Sequence, residues 1–193
     1  SLFATSSIKA ARAYYQEFKR QQADLPEARR LSVGIIYSYA PNAEAPGTGL
    51  LSEESMDPSA LSQDDRAFLD EAIADYNQQF GASFGTDASG FEGYYTSLST
   101  ALAERRIDLV IVVDMFLTGF DSKSLNTLWV DKNLRAHGLI QAFSRTNRIL
   151  NSVKTFGNIV CFRNLEEATN DAIALFGNKE ARGQVLLRPY GEY

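Results

Sequence analysis

Cysteine and histidine are almost absent from the chain, one of each in 193 residues. With Cys161 alone, no disulfide forms within one chain, and its place in the apolar run Asn158 to Phe162 predicts a small buried hydrophobe. A reactive thiol needs an electropositive, accessible setting, which nothing around Cys161 indicates. His137 has no second His or Cys at ligand spacing, so neither a zinc nor an iron site is expected. No uninterrupted run of about 18 apolar residues occurs, so no membrane helix is expected. The chain opens without methionine and without a charged-then-apolar leader, and reads as an excised, non-secreted domain. It has no G-x-x-x-x-G-K-[ST] phosphate loop and no Asp-Glu box to hold magnesium, which excludes a complete ATPase. No G-x-G-x-x-G opens a helix either, which removes a dinucleotide-binding domain.

Positive charge is scarce overall, and the net charge of −5 argues against a nucleic-acid binder until it is resolved along the chain. Residues 41–100 carry 11 acidic groups and one basic group, whereas residues 101–163 carry 9 basic and 5 acidic groups. The acidity is therefore local, and the segments on either side are mildly basic, as a polyanion site requires.

Apolar runs and helical periods alternate from end to end. Leu2 to Thr5 reads as a strand, and Ser6 or Ser7 can cap the helix after it. In that helix Ile8, Ala11, Tyr15 and Phe18 form a buried stripe, with Lys9, Arg12, Lys19 and Arg20 left outside. Leu25-Pro26 ends the helix and Leu31 to Ser38 reads as a second buried strand. Tyr39 to Ser59 lacks any period and reads as a surface loop. Ser62 and Asp65 have the form of a capping box, opening a helix through Phe68, Leu69, Ala72, Ile73, Tyr76 and Phe80 that should stop near Gly81. A further helix runs through Phe91, Tyr94, Leu98 and Leu102. Asp64, Asp65, Asp70, Glu71 and Asp75 read as a charged outer face, set against solvent or a neighbouring domain. A last strand, Phe156 to Phe162, precedes a helix over Leu165 to Phe176, with Asn164 as its cap and Gly177 past its end. Such alternation predicts an α/β domain with a mostly parallel sheet and right-handed crossovers.

The centre of the chain, Ile107 to Leu150, carries the candidate chemistry. Its apolar runs Leu109 to Val113 and Leu128 to Val130 each empty into a polar loop, the first bearing Thr118, Gly119 and Asp121. After the second, Gln141, Arg145 and Arg148 fall at helical spacing on one narrow face. Guanidinium groups bond phosphate oxygens in pairs and remain charged at any working pH, so such a face suits a polyphosphate. Ligands of open parallel sheets collect at the carboxyl ends of the strands, where this site is expected.

Gly119-Phe120-Asp121 and the string from Gln141 to Arg148, QAFSRTNR, resemble motifs V and VI of superfamily 2 helicases and translocases. The longer strings VVDMFLTGFD and DKNLRAHGLIQAFSRTNRI look like the restriction (R) subunit of type I restriction enzymes. The resemblance implies a RecA-like, P-loop NTPase-type three-layer fold over residues 1–180: helicase domain 2, with a loop and an acidic helical insertion over 41–100. Residues 181–193 would begin a linker to a helical region. It also implies roles. Arg148 would be the arginine finger, with Arg145 on the same terminal phosphate. Gln141, Gly119 and Asp121 would contact the nucleotide, and Ser6, Ser7 and Thr118 the nucleic-acid backbone. ATP and Mg2+ would be held mainly by a first RecA-like domain of the same chain. The parent would be a cytoplasmic, ATP-dependent double-stranded DNA translocase and endonuclease partnered by methyltransferase and specificity subunits, with this fragment inactive alone.

Departures from the general helicase pattern at Val113, Ser144 and Asn147 weigh against a generic RNA helicase. Domain 2 of another superfamily 2 DNA or RNA helicase is nevertheless an alternative, as is a non-catalytic docking module presenting its acidic helices. Asp114, Asp121 and Lys123 echo the two acids and lysine of metal-dependent nucleases. That echo is at loose spacing and overlaps the motif V string.

Overall fold

A computed structural model of the chain describes residues 1–38, 61–148, 150 and 154–176. The 39–59 loop, the stop at Gly177 and the 181–193 linker lie outside the described residues. Five strands form one parallel sheet: β1 (Leu2–Thr5), β2 (Val33–Ile36), β3 (Leu109–Val112), β4 (Thr127–Asp131) and β5 (Asn158–Cys161), in the order β2-β3-β1-β4-β5. Five α-helices accompany them: α1 (Ile8–Gln22), α2 (Gln63–Phe80), α3 (Ala88–Ala103), α4 (Ala136–Ser144) and α5 (Glu166–Phe176). This is the predicted α/β fold, of the RecA-like three-layer type.

β1 and β3 are short apolar runs, fully buried because parallel strands at the centre of a sheet are covered on both faces, whereas β4 alternates half-buried and buried residues. β1 lies at the centre, Phe3 opposite Ile111 on one flank and Trp129 on the other, and all four of its residues are buried. Helix ends follow from local chemistry. Ser7 caps α1 by accepting the Ala10 N–H at 3.2 Å. Ser62 caps α2 in the same way at 3.1 Å from the Asp65 N–H, and its hydroxyl donates to the Asp65 carboxylate at 2.7 Å. α2 stops where Gly81 turns left-handed at φ 65°, a conformation glycine adopts without Cβ strain.

The acidic helical segment, α2 and α3, forms the connection between β2 and β3, and its apolar side belongs to the core. Tyr76 meets Tyr94 edge-on at 5.1 Å. The buried Tyr94 hydroxyl donates at 2.8 Å to the Ile35 carbonyl of β2, an edge strand. Edge strands expose unpaired backbone groups, and here a side chain takes one of them.

Two expectations change. The acids of α2 do not simply face solvent. Asp65 holds Arg12 of α1 at 2.6 Å, and Asp75 holds Lys19 at 2.5 Å and the Tyr15 hydroxyl at 3.0 Å. The acidic stripe of α2 and the basic stripe of α1 are opposite sides of one contact, so Arg12 is half-buried. Cys161, expected inside, is exposed. It ends β5, which has a strand neighbour on one side only.

Candidate functional site

The loop from Val113 to Asn126 joins the carboxyl end of β3 to the amino end of β4, and apolar anchors fix its course. Met115, Phe116, Leu117 and Phe120 are buried. The Phe116 ring packs between Tyr95 at 4.9 Å and Phe120 at 5.0 Å. Phe116 does so with φ at 66°, a left-handed backbone that costs a bulky residue about 1–2 kcal/mol and persists only because its surroundings over-determine it. With those side chains turned inward, Gly119 and Asp121 are left outside. Gly119 (φ 71°) is the pivot of a tight turn in which the Phe120 N–H donates to the Thr118 carbonyl at 2.7 Å.

α4 supplies the other wall. The helix ends at Ser144, so the predicted single face bearing Gln141, Arg145 and Arg148 is not a continuous helical face: Arg145 is the C-terminal cap and Arg148 lies beyond it. From Ala142 the chain tightens, with the N–H groups of Arg145, Thr146 and Asn147 each donating three residues back, at 3.2, 3.4 and 3.2 Å. Arg145 reaches across to the loop. Its Nη1 donates to the Phe120 carbonyl and its Nε to the Gln141 carbonyl at 3.1 Å.

Arg148 pairs with Asp121 through Nη2 and Oδ2 at 3.2 Å, each side chain more than half exposed. Asp121, Ser144, Arg145, Asn147 and Arg148 together line an open cleft of about 240 Å³. Two guanidiniums and one carboxylate thus converge from two segments 20-odd residues apart in sequence. An exposed ion pair of this kind contributes about 0–1 kcal/mol to stability, so the fold does not depend on it and an anion can compete for Arg148 at little cost.

The cleft is not at the carboxyl ends of the strands. Gly157 directly precedes β5, whose Asn158 pairs with the first residue of β4, and a Cβ on Gly157 would fall 2.3 Å from the Thr146 carbonyl oxygen. The arginine-bearing turn is therefore packed at the amino end of β5. The cause is topological. α4 starts where β4 ends and must return the chain to the opposite edge before a parallel β5 can begin.

Other predicted residues divide between this cleft and the carboxyl edge. Gln141 is half-buried one turn back and does not line the cleft; its carbonyl accepts from Arg145 and, at 2.7 Å, from the Ser144 hydroxyl. Ser6 and Ser7 follow β1 at the carboxyl edge, where Ser7 is engaged as the helix cap. Thr118 is half-buried in the loop that leaves the neighbouring β3. Asp114, at that same edge, is ion-paired with Lys132. Of the acid-acid-lysine echo, Asp114 and Asp121 hold different cations, Lys132 and Arg148.

The residues 1–164 match the family described as type I restriction enzyme subunit R domain 3. The chain belongs to that family. Among relatives of the R subunit domain, it is 40% identical over 195 residues to the type I restriction enzyme SauMRSORF196P endonuclease subunit of Staphylococcus aureus (strain MRSA252). It is 43% identical over 195 residues to the SsaAORF53P endonuclease subunit of Staphylococcus saprophyticus. Both alignments cover 100% of this chain and 20% of the relative, so the R subunit domain spans about a fifth of those proteins. A third, the N-terminal part of a putative type I restriction enzyme MpnIIP endonuclease subunit of Mycoplasma pneumoniae, is 50% identical over 82 residues, covering 40% of the chain and 22% of that protein. The family places the chain in a type I restriction system.

Sequence reasoning named Ser144 and Asn147 only as departures from the helicase pattern, and both line the cleft; it missed Lys154, which donates to the carbonyls of Thr146 and Arg148, and Gly157, which packs under Thr146. Only the string T-N-R, with two residues that disfavour helix interiors before Arg148, carried a signal that the helix would stop.

Proposed function

We propose that this domain is the second RecA-like motor domain of a double-stranded DNA translocase and endonuclease subunit, and that the Asp121–Arg145–Arg148 cleft is its contribution to ATP hydrolysis. The observation that carries the reading is the convergence of both motif VI arginines with the motif V aspartate on one open cleft. In such a cleft Arg148, the more exposed guanidinium, meets the charge that develops on the transferred phosphoryl group. Arg145, already tied to the backbone at Gln141 and Phe120, keeps the motif V loop and the helix end in register. Asp121 holds Arg148 in place until nucleotide arrives and can then accept from a ribose hydroxyl. Magnesium and most of the nucleotide contacts would belong to a first motor domain, which would carry the phosphate-loop and Asp-Glu motifs.

The residues fit an anionic nucleotide well: two guanidiniums supply paired donors, and the cleft is open enough for a partner domain to close over it. DNA would be met at the carboxyl edge by Ser6, Ser7 and Thr118 through phosphate contacts, with steep salt dependence and no base reading. Methyltransferase and specificity subunits would complete the assembly.

The test is DNA-stimulated ATP hydrolysis by the full-length subunit carrying Arg148→Ala. Loss of an arginine finger lowers turnover about 10³-fold or more, with the protein still folded. Turnover within a factor of about two of wild type would reject the motor reading and favour a docking module that presents the acidic helices.

A further inference from the structure

Beyond α4 three bonds to the residue three back carry the chain as far as Asn147, and the described residues after it are held by a different donor. Helix C-termini leave carbonyl groups without intrahelical donors. Here the N–H groups of the turn serve the last carbonyls of α4, and the carbonyls of Thr146 and Arg148 beyond them take their donor from a buried lysine further along the chain. Lys154 is 9% exposed, and its Nζ donates to the Thr146 carbonyl at 2.9 Å and to the Arg148 carbonyl. The backbone closes the same unit, since the Leu150 N–H donates to the Lys154 carbonyl at 3.2 Å. Gly157 then packs against Thr146, itself 1% exposed.

This arrangement is costly for a lysine, because burying an ammonium removes its hydration and has to be offset by hydrogen bonds. Burial lowers its pKa accordingly. A methionine or leucine would fill the same space at lower desolvation cost. What the ammonium adds is direction: a compact charge with three donors pins the carbonyls on either side of Asn147. It also lies past a helix C-terminus, where the partial negative charge of the helix favours a cation. Asn147, between those carbonyls, and Arg148, which carries one of them, both line the cleft.

We propose that Lys154 is a positioning residue for Arg148: by fixing the turn from Thr146 to Arg148 it sets the direction in which the Arg148 guanidinium enters the cleft. The inference rests on the motor reading of that cleft. Misplacement of a reacting group by about 1 Å costs up to about 10²-fold in rate, and a loosened turn acts through that sensitivity.

The experiment is steady-state ATP hydrolysis, read with labelled nucleotide, by the full-length subunit with duplex DNA present. Wild type is compared with Lys154→Met, Arg148→Ala and the double variant. Lys154→Met is expected to lower kcat by about tenfold to a hundredfold with KM for ATP changed by less than about threefold. In the Arg148→Ala background it is expected to lower turnover no further, because the group it positions is gone. Should Lys154→Met fail to fold, Lys154→Gln, which keeps a donor without the charge, carries the test. It is expected several-fold below wild type in kcat and again without effect beside Arg148→Ala. Wild-type kcat in the folded lysine variant while Arg148→Ala is inactive would overturn the positioning role and leave the motor reading intact. Equal added losses in both backgrounds would also overturn it, marking Lys154 as a support of the fold alone. Wild-type turnover in Arg148→Ala would instead remove the motor reading, and the positioning inference with it.

Discussion

Gly157→Ala is the sharpest test of how the arginine-bearing turn is packed. An added Cβ would meet the Thr146 carbonyl oxygen at 2.3 Å and the Thr146 Cβ and Oγ1 at 2.5 Å each. None of these atoms is the tip of a flexible side chain, and Thr146 is buried, so relief requires the backbone of the turn or the start of β5 to move. Overpacking of this kind costs about 1–3 kcal/mol, and a backbone clash belongs at the upper end. Replacing glycine stiffens the unfolded chain and returns about 0.4–1 kcal/mol, which leaves a net loss of about 2 kcal/mol. With a urea slope of about 2 kcal/mol per molar, the midpoint should fall by about 1 M. Gly34→Ala is the matched control. Its Cβ would crowd Leu98 Cδ1 at 2.8 Å and Ile107 Cδ1 at 2.9 Å, the far ends of flexible side chains, with Val110 Cγ2 at an ordinary 3.9 Å. The assay is equilibrium urea unfolding of the purified chain, wild type and both variants together. A midpoint for Gly157→Ala equal to wild type, or lowered less than that of Gly34→Ala, would refute the packing of the turn on β5.

Two further predictions follow from local contacts. Ser62→Ala removes the α2 cap and the hydroxyl that steadies Asp65, and should cost about 1 kcal/mol in denaturant unfolding, with Ser62→Thr close to wild type; equal midpoints for all three would show that the cap contributes nothing. The phenols of Tyr15, Tyr37 and Tyr94 are pushed above the ordinary range, by burial first, with Asp75 adding to the effect at Tyr15 and Asp65 at Tyr37. A folded-state pKa raised above the unfolded value means stability that is complete below pH about 10 and is lost as pH rises beyond it. Phenolate absorbance should therefore show these three ionising only as the chain unfolds, and ionisation of every tyrosine near pH 10 with the fold intact would contradict their burial.

Much of the architecture was written in short-range pattern. The four-residue apolar runs at Leu2 and Leu109 became inner strands, covered on both faces, and that at Val33 became an edge strand, while Ser7 and Ser62 started helices and Gly81 ended one by chemistry local to the chain. The motif strings pointed to Asp121, Arg145 and Arg148, which the fold brings together. Spacing could not say how. A period of 3.6 residues continued to Arg148 on paper, but the helix stops at Ser144, and the turn beyond it is held by Lys154 and Gly157 from further along the chain.

By itself, then, the sequence determined which segments are buried, where most helices start, and which charged residues are candidates for a polyphosphate. Only the tertiary structure decided which of those charges meet. Asp65 and Asp75 read as a solvent face until α1 was laid beside α2, and Cys161 read as core until its strand proved to be the sheet edge. The physical reason is the same in each case. Hydrophobic period and capping act within a few residues, whereas an ion pair, an edge or a packed glycine depends on which distant segment the chain's return path brings alongside.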